Sequence, residues 1–365
     1  MTGQERELLA AAQGGDQDAF GRLVSPRHGE LHAHCYRMLG SVHDAEDALQ
    51  EALLRAWKAL PKFEARSSLR SWLYRIATNT CLDAIARRPK RVLPIDYGPA
   101  ADPHAKPGTP IVESVWLEPF PDEVLGVEDG FAEPEARYEQ KESVELAFVA
   151  ALQHLPATQR AVLILREVLG FSAKEVAESL ETTVASVNSA LQRARAAVDE
   201  RVGDQSQQAT LRALGDDALR DIVDRYVDAW ERNDVDAFAA MLTDDAVFAM
   251  PPLATWYRTR EGIAICAAGS PMSGAWRWRP VFVRANGQPA LAFYVWNAEA
   301  GAYLPFALNV LTFKGDKISD VTAFIARSAD DRDPEAFENY PDEPVDESRV
   351  ASFFGHFGLP DQLAA

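Results

Sequence analysis

The sequence predicts a multidomain protein with two all-α domains, an extended linker between them and a C-terminal α+β domain. Apolar residues recur at helical spacing through residues 5–91 and again through 142–203. The segment 92–141 is acidic, rich in Pro and Gly, and has no periodic apolar stripe, which indicates a linker. Residues 215–328 combine two amphipathic helices with alternating strand patterns, and residues 329–365 form an acidic tail with an apolar end.

Composition is that of a globular protein without a membrane segment. The 365 residues are 47% hydrophobic and 25% charged, enough for several cores. No apolar run is as long as a membrane span, and the N-terminus lacks a signal-peptide pattern, so a cytoplasmic location is expected. Cys35, Cys81 and Cys266 form no CxxC pair, which argues against a disulfide framework and a zinc site. We expect no metal and no cofactor.

Charge is distributed unevenly along the chain. The net charge is -18, yet residues 1–91 carry 14 Lys and Arg against 11 Asp and Glu. The segment 92–141 carries 3 against 11, and residues 331–365 carry 2 against 9. Acid is therefore concentrated in the linker and the tail. Because duplex binding rewards positive charge, the balance predicts weak intrinsic DNA affinity and a partner that supplies most of the binding.

The first all-α domain contains two informative helices. AEDALQEALLRAWKAL is amphipathic, and its acidic residues lie at the start, where they suit the helix dipole. After the loop at residues 62–68 follows LRSWLYRIATNTCLDAIARR, a helix with exposed arginines and with Trp72 and Tyr74 at core-like spacing. These two rings could pack in the core or stack on nucleic acid.

The second all-α domain has the pattern of a helix-turn-helix. Gly170 ends one helix, and Ser172 with Glu175 forms a capping box that starts the next. Thr182 or Thr183 caps a third helix from about Val184. Its polar face is typical of a helix that reads base edges, although a solvated face of any three-helix core has the same pattern.

Two long segments carry a family resemblance. The run from DAFGRLVSPRHGELHAHCYRMLG through HDAEDALQE to RSSLRSWLYRIATNTCLDAIARRPKR resembles region two of bacterial extracytoplasmic-function (ECF) sigma factors of the sigma-70 family. LPATQRAVLILREVLGFSAKEVAESL and SVNSALQRAR resemble region four. The resemblance implies a helical-bundle region two, a helix-turn-helix region four, and core RNA polymerase and promoter DNA, duplex and single strand, as partners.

The resemblance also assigns roles by position. The residues expected to bind polymerase are Asp44, Glu46, Asp47, Gln50 and Glu51. Those expected to hold or support the minus-ten strand are Phe63, Arg66, Ser67, Arg70, Trp72, Tyr74, Arg75 and Asn79. Those expected to read the minus-thirty-five element are Asn188, Ser189, Gln192 and Arg193. Asn188 and Ala190 stand where many members carry cations, so phosphate affinity should be low.

The C-terminal domain resembles the SnoaL-like, ketosteroid-isomerase-like cone, through DRYVDAWERNDVDAFAAMLTDDAVFAMPP and the strands that follow, with hairpin turns at Asn286-Gly287 and Lys314–Asp316. The residues expected to line a pocket or form the core are Tyr226, Trp230, Met250, Trp256, Phe293 and Trp296. Met250 stands where catalytic relatives need a carboxylate base, so we expect no enzyme activity.

Three functions remain for the whole chain. The first is a sigma factor that directs promoter recognition and transcription initiation, regulated in cis by the SnoaL-like domain, with an unknown small ligand as that domain's candidate partner. The second is a SnoaL-like enzyme or small-molecule sensor fused to a DNA-targeting module. The third, a helix-turn-helix repressor, leaves region two unexplained.

Overall fold

The chain, described here by a computed structural model, forms two compact units. One unit combines residues 1–91 with 122–204, and the other combines 92–121 with 205–365. The structure describes residues 3–65, 67–105, 108, 111, 115–125, 141–202, 206–326, 350 and 353–365.

The first part of the N-terminal unit is a helical bundle, as predicted. Its helices are α1 (Gly3–Gln13), α2 (Gln17–Val24), α3 (His28–Leu39), α4 (Val42–Ala59) and α5 (Leu69–Ile85). Local signals set the boundaries of α3 and α4. Gly40 adopts a left-handed conformation, with φ of 70°, and ends α3. Ser41 then accepts a hydrogen bond from the backbone N–H of Asp44, 3.1 Å away, and caps α4.

The second part of this unit is the predicted helix-turn-helix. Its helices are α7 (Leu146–Gln153), α8 (Ala157–Leu163), α9 (Ala173–Ser179) and α10 (Val184–Asp199), after the short α6 (Pro94–Tyr97) of the other unit. A π-helical turn, Ile164–Val168, extends α8. The capping box of Ser172 and Glu175 is present, and Thr183 caps α10. The local turn chemistry therefore predicted these helices correctly.

The C-terminal unit is an α+β fold, also as predicted. Its helices are α11 (Gln207–Leu214), α12 (Asp216–Glu231), α13 (Val235–Ala240) and α14 (Arg260–Gly269). Its strands are β1 (Leu242–Ala249), β2 (Trp256–Arg258), β3 (Trp278–Ala285), β4 (Gln288–Asn297), β5 (Ala302–Lys314) and β6 (Lys317–Ile325).

These strands form one mixed sheet in the order β2-β1-β6-β5-β4-β3. All neighbours are antiparallel except β1 and β6, which are parallel. Asn286 and Gly287, both with positive φ, form the predicted tight hairpin between β3 and β4. Helices α12 and α14 pack on the sheet, and α13 packs against both helices. A continuous core runs from Leu219 to Ile325.

The first part of the predicted linker is folded onto the C-terminal unit. Ala101 N donates to Trp256 O at 2.8 Å, Ile111 N donates to Pro252 O at 2.9 Å, and Phe120 N donates to Asn286 Oδ1 at 2.9 Å. Phe120 is fully buried. The described residues of this segment are therefore not an extended tether, because several of their backbone groups bond to the C-terminal domain. Most of the segment 122–141 lies outside the described residues.

The apolar end of the tail also packs on the C-terminal unit. Phe354 is fully buried, with its ring 5.4 Å from that of Tyr294. Leu363 exchanges two backbone hydrogen bonds of 2.9 Å with Tyr303, and Tyr294 Oη donates to Pro360 O. The tail end thus covers part of strands β4 and β5.

Within the described ranges, none of the helices has the length and apolar character that crossing a bilayer requires.

Candidate nucleic-acid and polymerase interface

The outer face of α10 carries the side chains predicted to read the minus-thirty-five element. The four are all exposed: Asn188, Ser189, Gln192 and Arg193. Residues four apart share a face of a helix, so Asn188 and Gln192 form one row and Ser189 and Arg193 form a neighbouring row. Val187 and Ala194 are fully buried on the opposite side and fix the helix on its domain. The helix thus presents amide, hydroxyl and guanidinium groups at one surface.

Two residues of α10 change the expected surface. Ala190 is buried, so its small side chain lies in the domain interior and the expectation that it weakens a phosphate contact is wrong. Of the two positions where many family members carry cations, only that of Asn188 lies at the surface. Val184, the first residue of α10, is 44% exposed. An apolar group there can contact a thymine methyl, a feature that sequence reasoning missed.

Helix α5 presents a smaller surface than predicted for the minus-ten strand. Arg75 and Asn79 are exposed and lie four residues apart, on one face. Ser67 is exposed in the preceding loop. Arg66 lies outside the described residues. Arg75 and Asn79 therefore provide a charge and an amide at one accessible face.

The three aromatic residues assigned to the strand are buried. Phe63 and Trp72 pack against each other, with ring centroids 4.8 Å apart. Tyr74 is 1% exposed, and its hydroxyl donates to Glu30 Oε2 at 3.3 Å. These rings are part of the core on which α5 packs, and in this conformation none has an exposed face that a base could stack on.

Arg70 contacts region four instead of solvent. Its Nη2 donates to Leu169 O at 3.0 Å, and its guanidinium lies 4.6 Å from the centroid of the Phe171 ring. One residue on, Ser71 Oγ donates to Glu175 Oε1 at 3.3 Å. The helix expected to bind the minus-ten strand therefore touches the start of the helix-turn-helix.

Regions two and four share a buried polar contact at the end of α3. Gln153 Nε2 donates to Arg37 O at 3.1 Å, and Arg160 Nη1 donates to Met38 O. Both acceptors are carbonyls of the last turn of α3, which have no partner within that helix. Arg37 in turn donates from Nε to Ser143 O at 3.0 Å and from Nη2 to Ser143 Oγ at 2.7 Å. Region four thus caps a helix of region two.

Burial lowers the pKa values of the two arginines in this contact. Desolvation lowers the pKa of Arg37 and of Arg160 to about 10 each. Both remain charged at neutral pH, so charged groups are held away from water by hydrogen bonds between the regions.

His34 lies beside this contact and makes it sensitive to acid. Its Nε2 is 2.9 Å from Thr78 Oγ1, and its ring is 5.2 Å from that of Tyr74. Burial, reinforced by the nearby Arg37 charge, lowers the pKa of His34 to about 3. The imidazole is therefore neutral in the folded protein, whereas in the unfolded chain it takes up a proton near pH 6.5.

We expect the free energy of unfolding of the N-terminal unit to fall by about 2 kcal/mol between pH 7 and 5 through His34 alone. The unfolded state binds the extra proton between pH 6.5 and about 3, so stability is lost as pH falls through that window. In urea titrations, His34→Gln should remove this part of the pH dependence. His28→Gln, at an exposed position of the same helix, should retain it. Equal pH dependence in all three proteins would contradict the assignment.

Helix α4 presents most of the predicted polymerase face. The exposed members are Glu46, Asp47, Gln50 and Glu51. Asp44 is not exposed, because its carboxylate is buried, accepts from Arg91 Nη2 at 2.5 Å and also pairs with Arg88. It fixes the end of region two. Leu54, missed by sequence reasoning, is 46% exposed and lies seven residues after Asp47, on the same face.

The C-terminal domain encloses a cavity of about 750 Å³. Of the six predicted pocket residues, Trp230, Met250 and Phe293 line it. Tyr226 lies behind the wall, fully buried, and burial raises the pKa of its hydroxyl.

Two of the six lie elsewhere. Trp256 donates its indole N–H to Gly98 O of the linker at 2.8 Å. Trp296 packs on Tyr303, away from the cavity. Neither residue lines the cavity, because adjacent positions of a strand point to opposite faces of the sheet. In the described part of the chain, no group of three His, Cys, Asp or Glu could hold a metal.

Comparison with protein families matches three parts of the chain. Residues 23–91 match the sigma-70 region 2 family, residues 145–198 match the sigma-70 region 4 family, and residues 223–345 match the SnoaL-like domain family. The two sigma matches contain α4, α5 and α10, which carry the exposed faces described above.

The chain is 44% identical over 362 residues to the ECF RNA polymerase sigma factor SigG of Mycobacterium tuberculosis, covering 94% of this chain and 85% of that protein. It is 31% identical over 201 residues to the ECF RNA polymerase sigma factor SigW of Bacillus subtilis, covering 54% of this chain and 97% of that protein. The crystal structure of Mycobacterium tuberculosis SigJ, an extracytoplasmic-function sigma factor, superposes with a TM-score of 0.52 at 21% identity, covering 86% of this chain and 97% of that one. The chain belongs to the ECF sigma factor family, with a C-terminal SnoaL-like domain.

Proposed function

We propose that this sigma factor binds core RNA polymerase through the exposed face of α4 and directs it to a two-part promoter. The observation that carries the proposal is the presence of three separate exposed faces on one chain. The α4 face combines carboxylates with Leu54, the α5 face presents Arg75 and Asn79, and the α10 face presents polar rows. These suit, in order, a protein partner, a single strand and a duplex groove. It acts by binding, without covalent chemistry, in the cytoplasm with the polymerase.

Promoter binding requires regions two and four to separate. The minus-ten and minus-thirty-five elements are about 25 base pairs apart, or about 85 Å at about 3.4 Å per base pair. A compact unit of the size of residues 1–91 and 122–204 has a diameter of about 40 Å. Because it cannot span both elements, the packed arrangement is a closed state. In that state Arg70 is held by Leu169 and Phe171.

We also propose that the C-terminal domain regulates the factor in cis through the linker. Residues 92–121 connect region two with region four, and they are hydrogen-bonded to the C-terminal domain at Ala101, Ile111 and Phe120. Docking of this segment shortens the part of the linker that can extend between the regions. In this proposal the C-terminal domain thereby limits how far regions two and four can move apart, and a small ligand in its cavity would be the effector.

The rival function, a SnoaL-like enzyme, lacks a supporting observation. Met250 lines the cavity at the place of the general base, and the described lining contains no Asp or Glu. Tyr226 is separated from the cavity, and burial makes its hydroxyl a weaker acid.

The experiment that tests the proposal is transcription in vitro with core polymerase and the full-length chain. Initiation should depend on added chain, and Arg75→Ala should lower it about tenfold, through loss of one charged contact to the strand. Arg22→Ala, at an exposed position of α2, is the matched control and should have no effect. Absence of initiation on promoters selected from fragments that the holoenzyme retains would contradict the function.

Truncation tests the regulatory part. A chain of residues 1–203 lacks the C-terminal domain, so its linker has no docking surface. We expect it to initiate more transcripts per polymerase than the full-length chain. Identical activity of the two proteins would rule out regulation in cis and would leave the sigma function intact.

A further inference from the structure

The cavity of the C-terminal domain has the composition of a binding site for an uncharged molecule. Its volume of about 750 Å³ lies within the range of small-molecule sites. Its described lining includes no Asp, Glu, Lys or Arg, and its polar side chains are those of His104, Tyr257, Cys266, Ser270 and Asn309. Because a buried ion without a countercharge is costly, this lining selects against charged ligands.

Aromatic rings form one wall of the cavity. Trp230 and Phe293 have centroids 4.7 Å apart, and Trp278 lies 5.1 Å from both Trp276 and Phe306. Most of these ring pairs are near perpendicular, and all five rings line the cavity. Such walls pack best against a flat ring.

One amide provides a polar group in this wall. Asn309 is 2% exposed and lines the cavity. Its Nδ2 donates one hydrogen bond to Tyr226 Oη at 3.3 Å. The amide oxygen and the second N–H remain available to a ligand. A ligand with one carbonyl or hydroxyl oxygen can therefore satisfy this buried group.

The linker completes the site. Pro103, His104 and Ala105 form part of the lining. Their position is fixed by the hydrogen bonds of Gly98 and Ala101 to Trp256, and Gly108 N donates to Thr255 Oγ1 at 3.0 Å. The segment that joins regions two and four is thus also a wall of the cavity.

We propose that this cavity binds a neutral, oxygen-bearing aromatic ring compound, and that linker residues 98–105 are part of the site. Binding and linker docking are then thermodynamically linked: a ligand that contacts the linker strengthens its docking, and a loosened linker weakens the ligand. The proposal concerns the chain alone and does not rest on polymerase binding. Its failure would leave the sigma function untouched.

Three probes of matched shape test the ligand chemistry by equilibrium dialysis against the full-length chain. 2-Acetylnaphthalene has the carbonyl, 2-isopropylnaphthalene replaces it with carbon, and 2-naphthoate replaces it with a charged carboxylate. We expect the ketone to bind about tenfold more tightly than the hydrocarbon and the carboxylate to bind weakest. No saturable binding of the ketone, or equal binding of the carboxylate, would overturn the proposal.

Two substitutions of cavity-lining residues test whether the ketone binds in the cavity. Asn309→Leu should weaken the ketone about tenfold and leave the hydrocarbon unchanged. Ala307→Phe, which fills the cavity, should abolish binding of both, with thermal melting used to confirm folding. If a folded Ala307→Phe protein binds the ketone like the wild type, the site lies elsewhere and the proposal fails.

A pair of Trp→Phe substitutions tests the role of the linker. Trp256→Phe removes the N–H that holds Gly98, although Trp256 does not line the cavity. It should accelerate hydrogen exchange of the Ala101 amide and weaken the ketone about fivefold. Trp296→Phe, also outside the cavity, is the matched control and should change neither. In the wild type, the ketone should slow exchange at Ala101. Unchanged exchange with bound ketone would exclude the linker from the site.

Discussion

A covalent link between positions 71 and 175 is expected to reduce promoter-dependent transcription about 100-fold or more. Ser71 Oγ and Glu175 Oε1 are 3.3 Å apart, one in region two and the other in region four. A Ser71→Cys/Glu175→Cys protein joined by a short bismaleimide keeps the closed state. The link prevents the two regions from reaching elements about 85 Å apart, so productive initiation should be lost. The natural thiols Cys35 and Cys81 are fully buried, and Cys266, which lines the cavity of the C-terminal domain, is replaced by Ser in every protein of this experiment, so the reaction is confined to the introduced pair.

A reagent with an internal disulfide makes the experiment reversible. Reduction should restore transcription to the level of the unlinked double variant. Each single cysteine variant treated with the same reagent controls for modification, and Glu175→Cys alone also reports the loss of the capping box of α9. If the linked protein initiates as well as the reduced one, separation of the regions is not required and the closed-state interpretation is wrong.

Replacing Leu54 by Lys is expected to weaken the affinity for core polymerase about 30-fold to 100-fold. Leu54 is the one large apolar side chain on the exposed α4 face, beside Asp47, Gln50 and Glu51. A central apolar contact ringed by polar groups is the usual arrangement of a binding hot spot, and loss of such a contact costs about 2 kcal/mol or more. The added cation also makes the face of Glu46, Asp47 and Glu51 less negative.

The measurement is titration of labelled chain with core polymerase. Phe282→Lys is the matched control, because Phe282 is 44% exposed on β3 of the C-terminal domain. Glu7→Lys, at an exposed position of α1, controls for the change in charge. Both should bind like the wild type. Equal weakening by Leu54→Lys and Phe282→Lys would show that α4 is not the docking face.

The features that sequence predicted correctly depend on local interactions. Ser172 and Glu175 are three residues apart, and Asn286 with Gly287 forms a two-residue turn, so short-range chemistry determined both. Helical periodicity located α10 and its polar face in the same way. The fold class and the helix-turn-helix followed from such signals.

The features that sequence missed depend on long-range contacts. Asp44 pairs with Arg91, 47 residues away, and this converts an expected polymerase contact into a structural ion pair. The linker bonds to residues about 150 positions away through its own backbone groups, which no periodicity of the linker sequence reveals. Periodicity also does not reveal which apolar residue stays uncovered, so Leu54 could not be singled out.

The most direct test of the central claim is the distance between regions two and four in the free and the bound protein. Dyes placed at Glu7→Cys and Glu200→Cys, both exposed, report this distance by single-molecule energy transfer. We expect one high-transfer population for the free chain, and a low-transfer population once core polymerase and a promoter with both elements are present. High transfer that persists in the initiating complex would contradict the claim that this sigma factor opens to engage its promoter.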